Sequence, residues 1–218
     1  EERGLRPMRP VDTLRSFIDL VNRHKDWQSA LFAKTLWPDP QLLAVIDYHS
    51  AASDPSFGQH RVLYEFPVTE EFQIWTKFDG KPMEQDEFAA FLEEHSLELA
   101  APEDAERALY EREFRERFAT PSELIELSRH LEVHVSSRAR QGTRLSSGER
   151  VIEFSEEHQN AKGEPVVIPG IFIVSIRVFV DGEKVRIPAR LRYRISGGSI
   201  SWFYQLYRWR DFFREQVE

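Results

Sequence analysis

The strongest constraint in this sequence is the stretch from residue 171 to residue 207, where two glycine turns separate three runs of β-prone residues. Asp181-Gly182 and Gly197-Gly198 are dipeptides that two-residue hairpin turns favour, because both central residues of such a turn need a positive φ. The stretch therefore predicts an antiparallel sheet of three strands joined by two tight hairpins.

Two-residue turns would also fix which residues lie opposite each other. Successive side chains of a strand point to opposite faces, so one register assigns every residue to a face. The predicted pairs are Arg177 with Arg186, Val180 with Glu183, Tyr193 with Trp202, and Ile195 with Ile200. The first face is apolar and is the predicted core: Phe172, Val174, Ile176, Val178, Val185, Ile187, Ala189, Leu191, Tyr193, Ile195, Ile200, Trp202, Tyr204 and Leu206.

The second face carries a row of arginines beside aromatic and aliphatic side chains. Arginines could hold phosphates while aromatic rings stack on bases, which predicts a nucleic-acid or partner-binding surface. Two other interpretations remain open: the face is simply solvated, or an acidic helix of the same chain covers it. The candidate binding residues are Arg177, Arg186, Arg190, Arg192, Arg194, Phe203 and Tyr207, and Ile171 and Ile173 lie on the same predicted face.

The charge of the chain is unevenly distributed. The net charge is −8, but residues 69–132 carry 7 basic and 18 acidic side chains, whereas residues 133–218 carry 14 basic and 10 acidic ones. This asymmetry predicts that the two parts dock within or between subunits, or that the basic part binds nucleic acid. The overall acidity argues against a surface that binds DNA throughout.

The remaining patterns predict an α+β fold with an N-terminal hairpin, a helical middle and an antiparallel C-terminal sheet. A helix is expected from Val11, with Asp12 or Thr13 as its cap, and Asp79-Gly80 should end the helix that Thr69 begins. The predicted divisions, within one or two closely packed domains, are a flexible arm at 1–10, a helix plus hairpin at 11–68, acidic helices at 69–132, and the sheet with a C-terminal helix at 133–218. Short strands are predicted at 29–32, 42–48, 60–66, 131–140 and 149–158, and helices at 70–78, 83–97, 102–118 and 121–130.

The predicted helix at 102–118 has a narrow apolar stripe of Leu109, Tyr110, Phe114 and Phe118. Most of this helix should therefore be solvated or meet a partner. Opposite charges at i,i+4 spacing would stabilise it. These pairs are Glu103 with Arg107, Glu111 with Arg115, Arg112 with Glu116, and Glu113 with Arg117.

Asp47, His49 and His60 form the strongest cluster of groups that could do chemistry. Two imidazoles and a carboxylate could hold a metal ion or transfer protons, although histidines at the edge of a loop are more often polar surface. The sequence has no GxGxxG motif, no phosphate-binding loop and no nucleophile elbow. We therefore assign no catalytic residue, no metal ligand and no cofactor.

Several segments, in order along the chain, resemble one family. The segments FIDLVNRHKDWQSALFA, LLAVIDYH, GQHRVLYEFPVTEEFQIW, GKPMEQDEFAAFLEEH, TRLSSG, IPARLRYRI and SWFYQLYR resemble the DUF2303 family of phage and prophage proteins. The resemblance implies a phage or prophage source and a further N-terminal stretch before this segment. It implies no catalytic residues. The chain has no cysteine and no apolar run near 18 residues, so a protein of the bacterial cytoplasm, without membrane contact, is expected.

Three functions follow as expectations. The first is a non-enzymatic, self-associating protein that acts on single-stranded nucleic acid or on host machinery for nucleic acid or defence. The second is a structural protein in which acidic helices of one subunit dock on the basic sheet of the next to build a ring or shell. The third is an enzyme that uses Asp47, His49 and His60. The first two predict a homo-oligomer at micromolar concentration, held partly by charge.

Overall fold

The structure, a computed structural model, describes residues 9–48, 58–130, 168–196 and 199–218. Its first half contains β1 (Arg9–Val11), α1 (Leu14–His24), β2 (Ala30–Lys34), β3 (Gln41–Val45), β4 (Arg61–Glu65), α2 (Glu70–Phe78), β5 (Met83–Glu84) and α3 (Gln85–Glu94). Its second half contains β6 (Leu99–Ala100), α4 (Asp104–Glu106), α5 (Arg112–Phe114), α6 (Pro121–His130), β7 (Ile171–Arg177), β8 (Lys184–Ser196), β9 (Ser199–Leu206) and α7 (Trp209–Glu215).

The elements confirm the predicted α+β class, with helices in the middle of the chain and an antiparallel sheet near its C-terminus. The predicted strands at 131–140 and 149–158 lie outside the described residues. The chain divides into two compact units. The first unit contains the described residues of Glu1–Gln73, Arg177–Val185 and Arg208–Glu218, and the second those of Ile74–Ile176 and Arg186–Tyr207.

The first unit contains a four-stranded sheet in the order β1-β4-β3-β2. β3 pairs antiparallel with β2 and with β4, which confirms the predicted N-terminal hairpin, while β1 runs parallel to β4. The predicted cap is confirmed at Thr13, whose Oγ1 accepts the backbone N–H of Ser16 at 3.1 Å. From that start, α1 places Phe17 against Ala44 and Tyr64, and this contact forms the core of the sheet.

A second core in the first unit consists almost entirely of aromatic rings. Trp37 meets Phe72, Trp209 and Phe213 edge to face, with ring centroids 5.2 to 5.8 Å apart. Phe213 also meets Phe179 at 5.3 Å. Edge-to-face pairs place the positive ring edge against the negative ring face and add to the gain from burial. These contacts hold the C-terminal helix α7 within the first unit.

The second unit contains a five-stranded sheet in the order β5-β9-β8-β7-β6. β8 and β9 pair antiparallel, with Tyr193 opposite Trp202 and Ile195 opposite Ile200, as the second glycine turn predicted. On the predicted core face Tyr193 is half-buried, and the side chain of Ile195 lies outside the described part. The remaining residues of that face are buried: Phe172, Val174, Ile176, Val178, Val185, Ile187, Ala189, Leu191, Ile200, Trp202, Tyr204 and Leu206.

The first predicted hairpin turn is wrong by one position. The backbone N–H of Gly182 donates to Phe179 O at 3.0 Å, so the central residues are Val180 and Asp181, and Gly182 does not have a positive φ. A further backbone bond joins Leu191 N–H to Gly170 O at 2.9 Å, which fits a pairing displaced by two residues from the predicted one. A displacement by an even number keeps each side chain on its face, which is why the predicted faces survive.

Polar groups fasten the C-terminal half of α2, which belongs to the second unit. Gly80 ends α2 with a φ of +72°, as predicted, and its N–H donates to Tyr204 O at 2.8 Å. Tyr204 Oη donates to Trp75 O at 2.7 Å, and burial raises the pKa of this phenol. Glu98 accepts from Trp75 Nε1 and lies 3.2 Å from His95 Nδ1. The polar groups of Trp75, Tyr204 and His95 thus have hydrogen-bond partners, as is usual for polar groups in a protein core.

Candidate functional site

Three short elements lie across the arginine-bearing face of the sheet in the second unit. α4, the π-helical turn Arg107–Glu111 and α5 follow one another without a break, and we call residues 104–114 the covering helix. Tyr110 and Phe114 of this helix pack against the cluster of Phe118, Ile171 and Ile173. Both isoleucines are fully buried as a result. An acidic helix of the same chain therefore covers this face, which is one of the alternatives that the sequence left open.

The covering helix is shorter than the predicted helix at 102–118. It ends at Phe114, because Arg115 adopts a left-handed conformation with a φ of 55°. The predicted pairs of Glu111 with Arg115, Arg112 with Glu116, and Glu113 with Arg117 rely on helical spacing that does not continue past Phe114. Arg107 pairs with Glu111 at 3.5 Å within the helix. Beyond its end, Arg117 pairs instead with Glu123 at 2.7 Å.

Arg186 is held by the N-terminal end of the covering helix. Its Nε and one terminal nitrogen each donate to Glu106, both at 2.8 Å, which is the two-point geometry that guanidinium and carboxylate groups favour. The same terminal nitrogen donates to Ala101 O at 2.7 Å, and Glu103 lies 3.5 Å from Nε. These bonds use the N–H groups of Nε and of that terminal nitrogen, which would otherwise be available to a phosphate.

Arg192 and Arg190 meet the carboxylate that follows the helix. Arg192 donates to Glu116 Oε1 at 2.8 Å, and Arg190 lies 4.0 Å from the same oxygen. The guanidinium of Arg190 also lies over the ring of Phe114, 5.1 Å from its centroid. Gly170 makes this approach possible, because a Cβ there would lie only 2.8 Å from Cβ of Glu116. Glu116 thus joins β8 to the segment after α5.

The ionisation of Glu106 depends on this contact. Partial burial alone would raise the pKa of its carboxyl group, but the hydrogen bond from Arg186 and the backbone bond from Glu103 outweigh burial and lower the pKa. The charged form of Glu106 is therefore stabilised in the folded protein.

The other predicted binding residues have different surroundings. Phe203 is buried, with Arg194 above its ring at 5.0 Å, and Arg194 itself is exposed. Tyr207 meets the ring of Phe114 at 4.9 Å. Arg177 is exposed and belongs to the first unit. The structure thus brings Arg186, Arg190, Arg192, Arg194, Phe203 and Tyr207 onto one face, as predicted. The covering helix contacts Arg186, Arg190 and Tyr207 of this set.

The predicted cluster of Asp47, His49 and His60 is described only in part. Asp47 accepts the backbone N–H groups of Gln59 and His60 at 3.0 and 2.8 Å, and the ring of His60 lies 3.2 Å from it. Burial would raise the pKa of Asp47, but these hydrogen bonds outweigh it and lower the pKa. His49 lies outside the described residues. Within the described ranges, no group of three His, Cys, Asp or Glu side chains could hold a metal ion.

An exposed apolar surface, which the sequence patterns did not predict, surrounds β2 in the first unit. In the part of the chain that is described, β2 is the edge strand of its sheet. Leu31 is 61% exposed and Phe32 45%, although they point to opposite faces of the strand. Trp27, just before the strand, is 73% exposed, and Leu36, just after it, is 64% exposed. The sequence signal was two adjacent large apolar residues in a short strand without a polar face.

A shallow groove runs along this surface on the side of the sheet that carries α1. Phe17, Ile18 and Val21 form its helical wall, and its volume is about 330 Å³. Ala30, Leu31 and Ala44 supply the sheet side of the lining. α1 packs against β1 and β4, so it leaves this strip beside β2 uncovered.

Comparison with known proteins gives one match. The model of a family described as "Uncharacterized conserved protein (DUF2303)" matches residues 8–218. The chain belongs to the DUF2303 family. No curated protein matches the chain, and no solved structure matches it. The resemblance noted in the sequence is therefore confirmed at the level of the family.

A membrane-spanning helix needs about 20 mostly apolar residues. Across residues 9–48, 58–130, 168–196 and 199–218, no helix is both long and apolar enough to cross a membrane.

The contact of Glu106 with Arg186 predicts a pH dependence of stability. The pKa of Glu106 is lowered in the folded protein, so its contribution is present above the ordinary value of 4.5 and is lost as the pH falls through the folded value. In Glu106→Gln the free energy of unfolding should fall less between pH 6 and about 3. Urea titrations of both proteins at several pH values measure this difference.

Glu113→Gln provides the matched control, because Glu113 is an exposed carboxylate of the same helix. It should keep the pH profile of the wild type. If Glu106→Gln and the wild type lose stability in parallel, the ion pair with Arg186 does not contribute as described.

Proposed function

We propose that this DUF2303 protein is non-enzymatic and self-associating, and that its copies join through the surface around β2. The observation that supports this proposal is the exposure of Leu31 and Phe32 on an edge strand, with Trp27 and Leu36 at its two ends. Contiguous exposed apolar side chains on a sheet edge are a frequent mark of protein interfaces.

The expected gain from covering this surface is large enough to decide the oligomeric state. Full burial of one leucine or phenylalanine side chain contributes about 1.5–3 kcal/mol. Because each side chain would be covered in both copies, the gain counts twice for every residue at a symmetric interface. Each 1.4 kcal/mol changes a dissociation constant tenfold, so a few such residues are sufficient for micromolar affinity after the cost of association.

The acidic and basic parts of the sequence pair within one subunit, so the proposed interface between subunits should depend little on charge. Glu106 and Glu116 of the acidic segment already pair with Arg186 and Arg192 of the same chain. The attraction between acidic and basic parts is thus satisfied within one subunit, and a ring or shell does not need it. Association through β2 would bury mainly apolar groups. Because salt screens charges and not apolar contacts, the affinity of this association should change little with salt concentration.

The resemblance to phage and prophage proteins supplies the biological setting of the proposal. We place the protein in the cytoplasm of a bacterial host, encoded by a phage or prophage. Self-association there would present several copies of one surface to host machinery that handles nucleic acid or defence. Many weak contacts made together bind more tightly than one contact alone.

Light scattering at micromolar concentration tests the proposal. The wild-type protein should have at least twice the monomer mass of 25.6 kDa, at both low and high salt. Leu31→Glu should weaken association at least tenfold, because it places a charge in the apolar interface. Leu97→Glu is the matched control: Leu97 is 91% exposed in the second unit and should not affect association. A wild-type mass of 25.6 kDa at every concentration would refute self-association.

A second candidate function is weak binding of single-stranded nucleic acid, and the exposure of Arg194 favours it. Its guanidinium remains at the surface, whereas Arg192 is engaged by Glu116. Phosphate contacts of this kind weaken steeply as the salt concentration rises.

A gel shift with single-stranded DNA at low salt tests this candidate. Arg194→Ala should abolish the shift and leave the free energy of unfolding nearly unchanged. Arg192→Ala should keep the shift but lower the free energy of unfolding by about 1 kcal/mol, because it removes a hydrogen-bonded ion pair. No shift in the wild-type protein would exclude this function for the face.

A further inference from the structure

We infer that β2 pairs antiparallel with β2 of a second copy, about a two-fold axis that passes midway between the two copies of Phe32. This inference rests on the proposed self-association and specifies its geometry. β2 lies at the end of the strand order, so in the described part of the chain its outer edge pairs with no other strand. An edge of this kind offers backbone N–H and C=O groups to another strand.

Symmetry restricts where the axis can pass. In a continuous antiparallel sheet, residues directly opposite each other point to the same face. A two-fold axis perpendicular to the sheet must therefore pass midway between a residue and its own copy, which lie opposite each other. β2 comprises Ala30–Lys34, and an axis at Phe32 is the choice that pairs every residue of the strand.

The resulting pairs fit each other in size and charge. On the face that carries α1, Leu31 of each copy lies opposite Ala33 of the other, so a large side chain meets a small one. On the opposite face the two Phe32 rings meet, where each already contacts its own Tyr48 at 5.6 Å. Lys34 lies opposite Ala30 and pairs with Asp39 of its own chain at 3.6 Å, so no like charges face each other.

The same axis also covers the exposed residues beyond the ends of β2. Trp27 comes three residues before the strand and Leu36 two residues after it. Antiparallel pairing centred on Phe32 brings the start of one β2 beside the end of the other. Trp27 of each copy therefore comes next to Leu36 of the second copy, and this contact occurs twice.

The groove beside α1 gains an outer wall in this arrangement. A perpendicular two-fold axis keeps both copies of α1 on the same face of the joined sheet. Leu31 and Ala33 of the second copy then border the open side of the groove lined by Ile18 and Val21. The second copy thus places apolar side chains beside Leu31 on one face of the joined sheet and beside Phe32 on the other.

Disulfide trapping tests the geometry directly, because the chain has no cysteine of its own. Opposite residues of antiparallel strands have Cα atoms about 4.5–5.5 Å apart, which is within the range of a disulfide. Phe32→Cys should therefore form a covalent dimer rapidly under mild oxidation. Leu97→Cys, which is more exposed but lies in the second unit, should form it slowly or not at all.

A mixing experiment tests the register. Leu31→Cys alone and Ala33→Cys alone should cross-link poorly, because each introduced thiol is diagonal to its own copy, about 7–8 Å away. An equimolar mixture of the two variants should cross-link efficiently, because residue 31 of one copy lies opposite residue 33 of the other.

The outcomes separate this inference from the proposed function. A non-covalent dimer in light scattering, together with failure of Phe32→Cys to cross-link faster than Leu97→Cys, would overturn the strand pairing but keep self-association. Cross-linking of Phe32→Cys with no preference in the 31/33 mixture would overturn the register. A monomer in every measurement would overturn both. Circular dichroism confirms that each variant is folded, and Phe32 is exposed, so its replacement leaves the core intact.

Discussion

The second unit depends on the ion pairs that Glu106 of the covering helix, and Glu116 just after it, make with the arginine row of the sheet. A sheet face can be buried only if its charged groups find partners, since an unpaired buried charge costs several kcal/mol. Glu106 and Glu116 provide these partners for Arg186 and Arg192. With the charges satisfied, Tyr110 and Phe114 can cover the fully buried isoleucines of β7. The acidic and basic parts of the sequence are thus two sides of one internal contact.

This internal contact changes where a binding surface should be sought. An arginine row normally suggests phosphate binding, but here Arg186 and Arg192 donate to carboxylates of the same chain. The apolar side chains around β2 have the opposite character, because the described residues place no cover over Leu31 or Phe32. Apolar surface rather than charge is therefore the property that distinguishes the proposed interface, and a second copy of β2 is the partner whose symmetry and side-chain sizes fit it.

Much of the fold followed from local patterns in the sequence. The alternation around Gly197-Gly198 fixed the register of β8 and β9, and Thr13 and Gly80 marked helix ends. The end of the covering helix at Arg115 could not be foreseen, because an arginine gives none of the signals that glycine or asparagine gives in the left-handed region. The partner of Arg186 lies 80 positions away in the sequence, so only tertiary structure identifies it. The exposure of β2 likewise depends on strand order, which local patterns do not encode.

Thiol accessibility at residue 173 tests the central claim, that the covering helix closes the arginine-bearing face. Ile173 is fully buried beneath this helix, and the chain has no other cysteine to interfere. In folded Ile173→Cys, a small thiol reagent should react orders of magnitude more slowly than in the exposed control Leu97→Cys, and mild urea should accelerate the reaction by opening the helix. Reaction of Ile173→Cys at the rate of the exposed control, in protein that circular dichroism shows to be folded, would contradict the account.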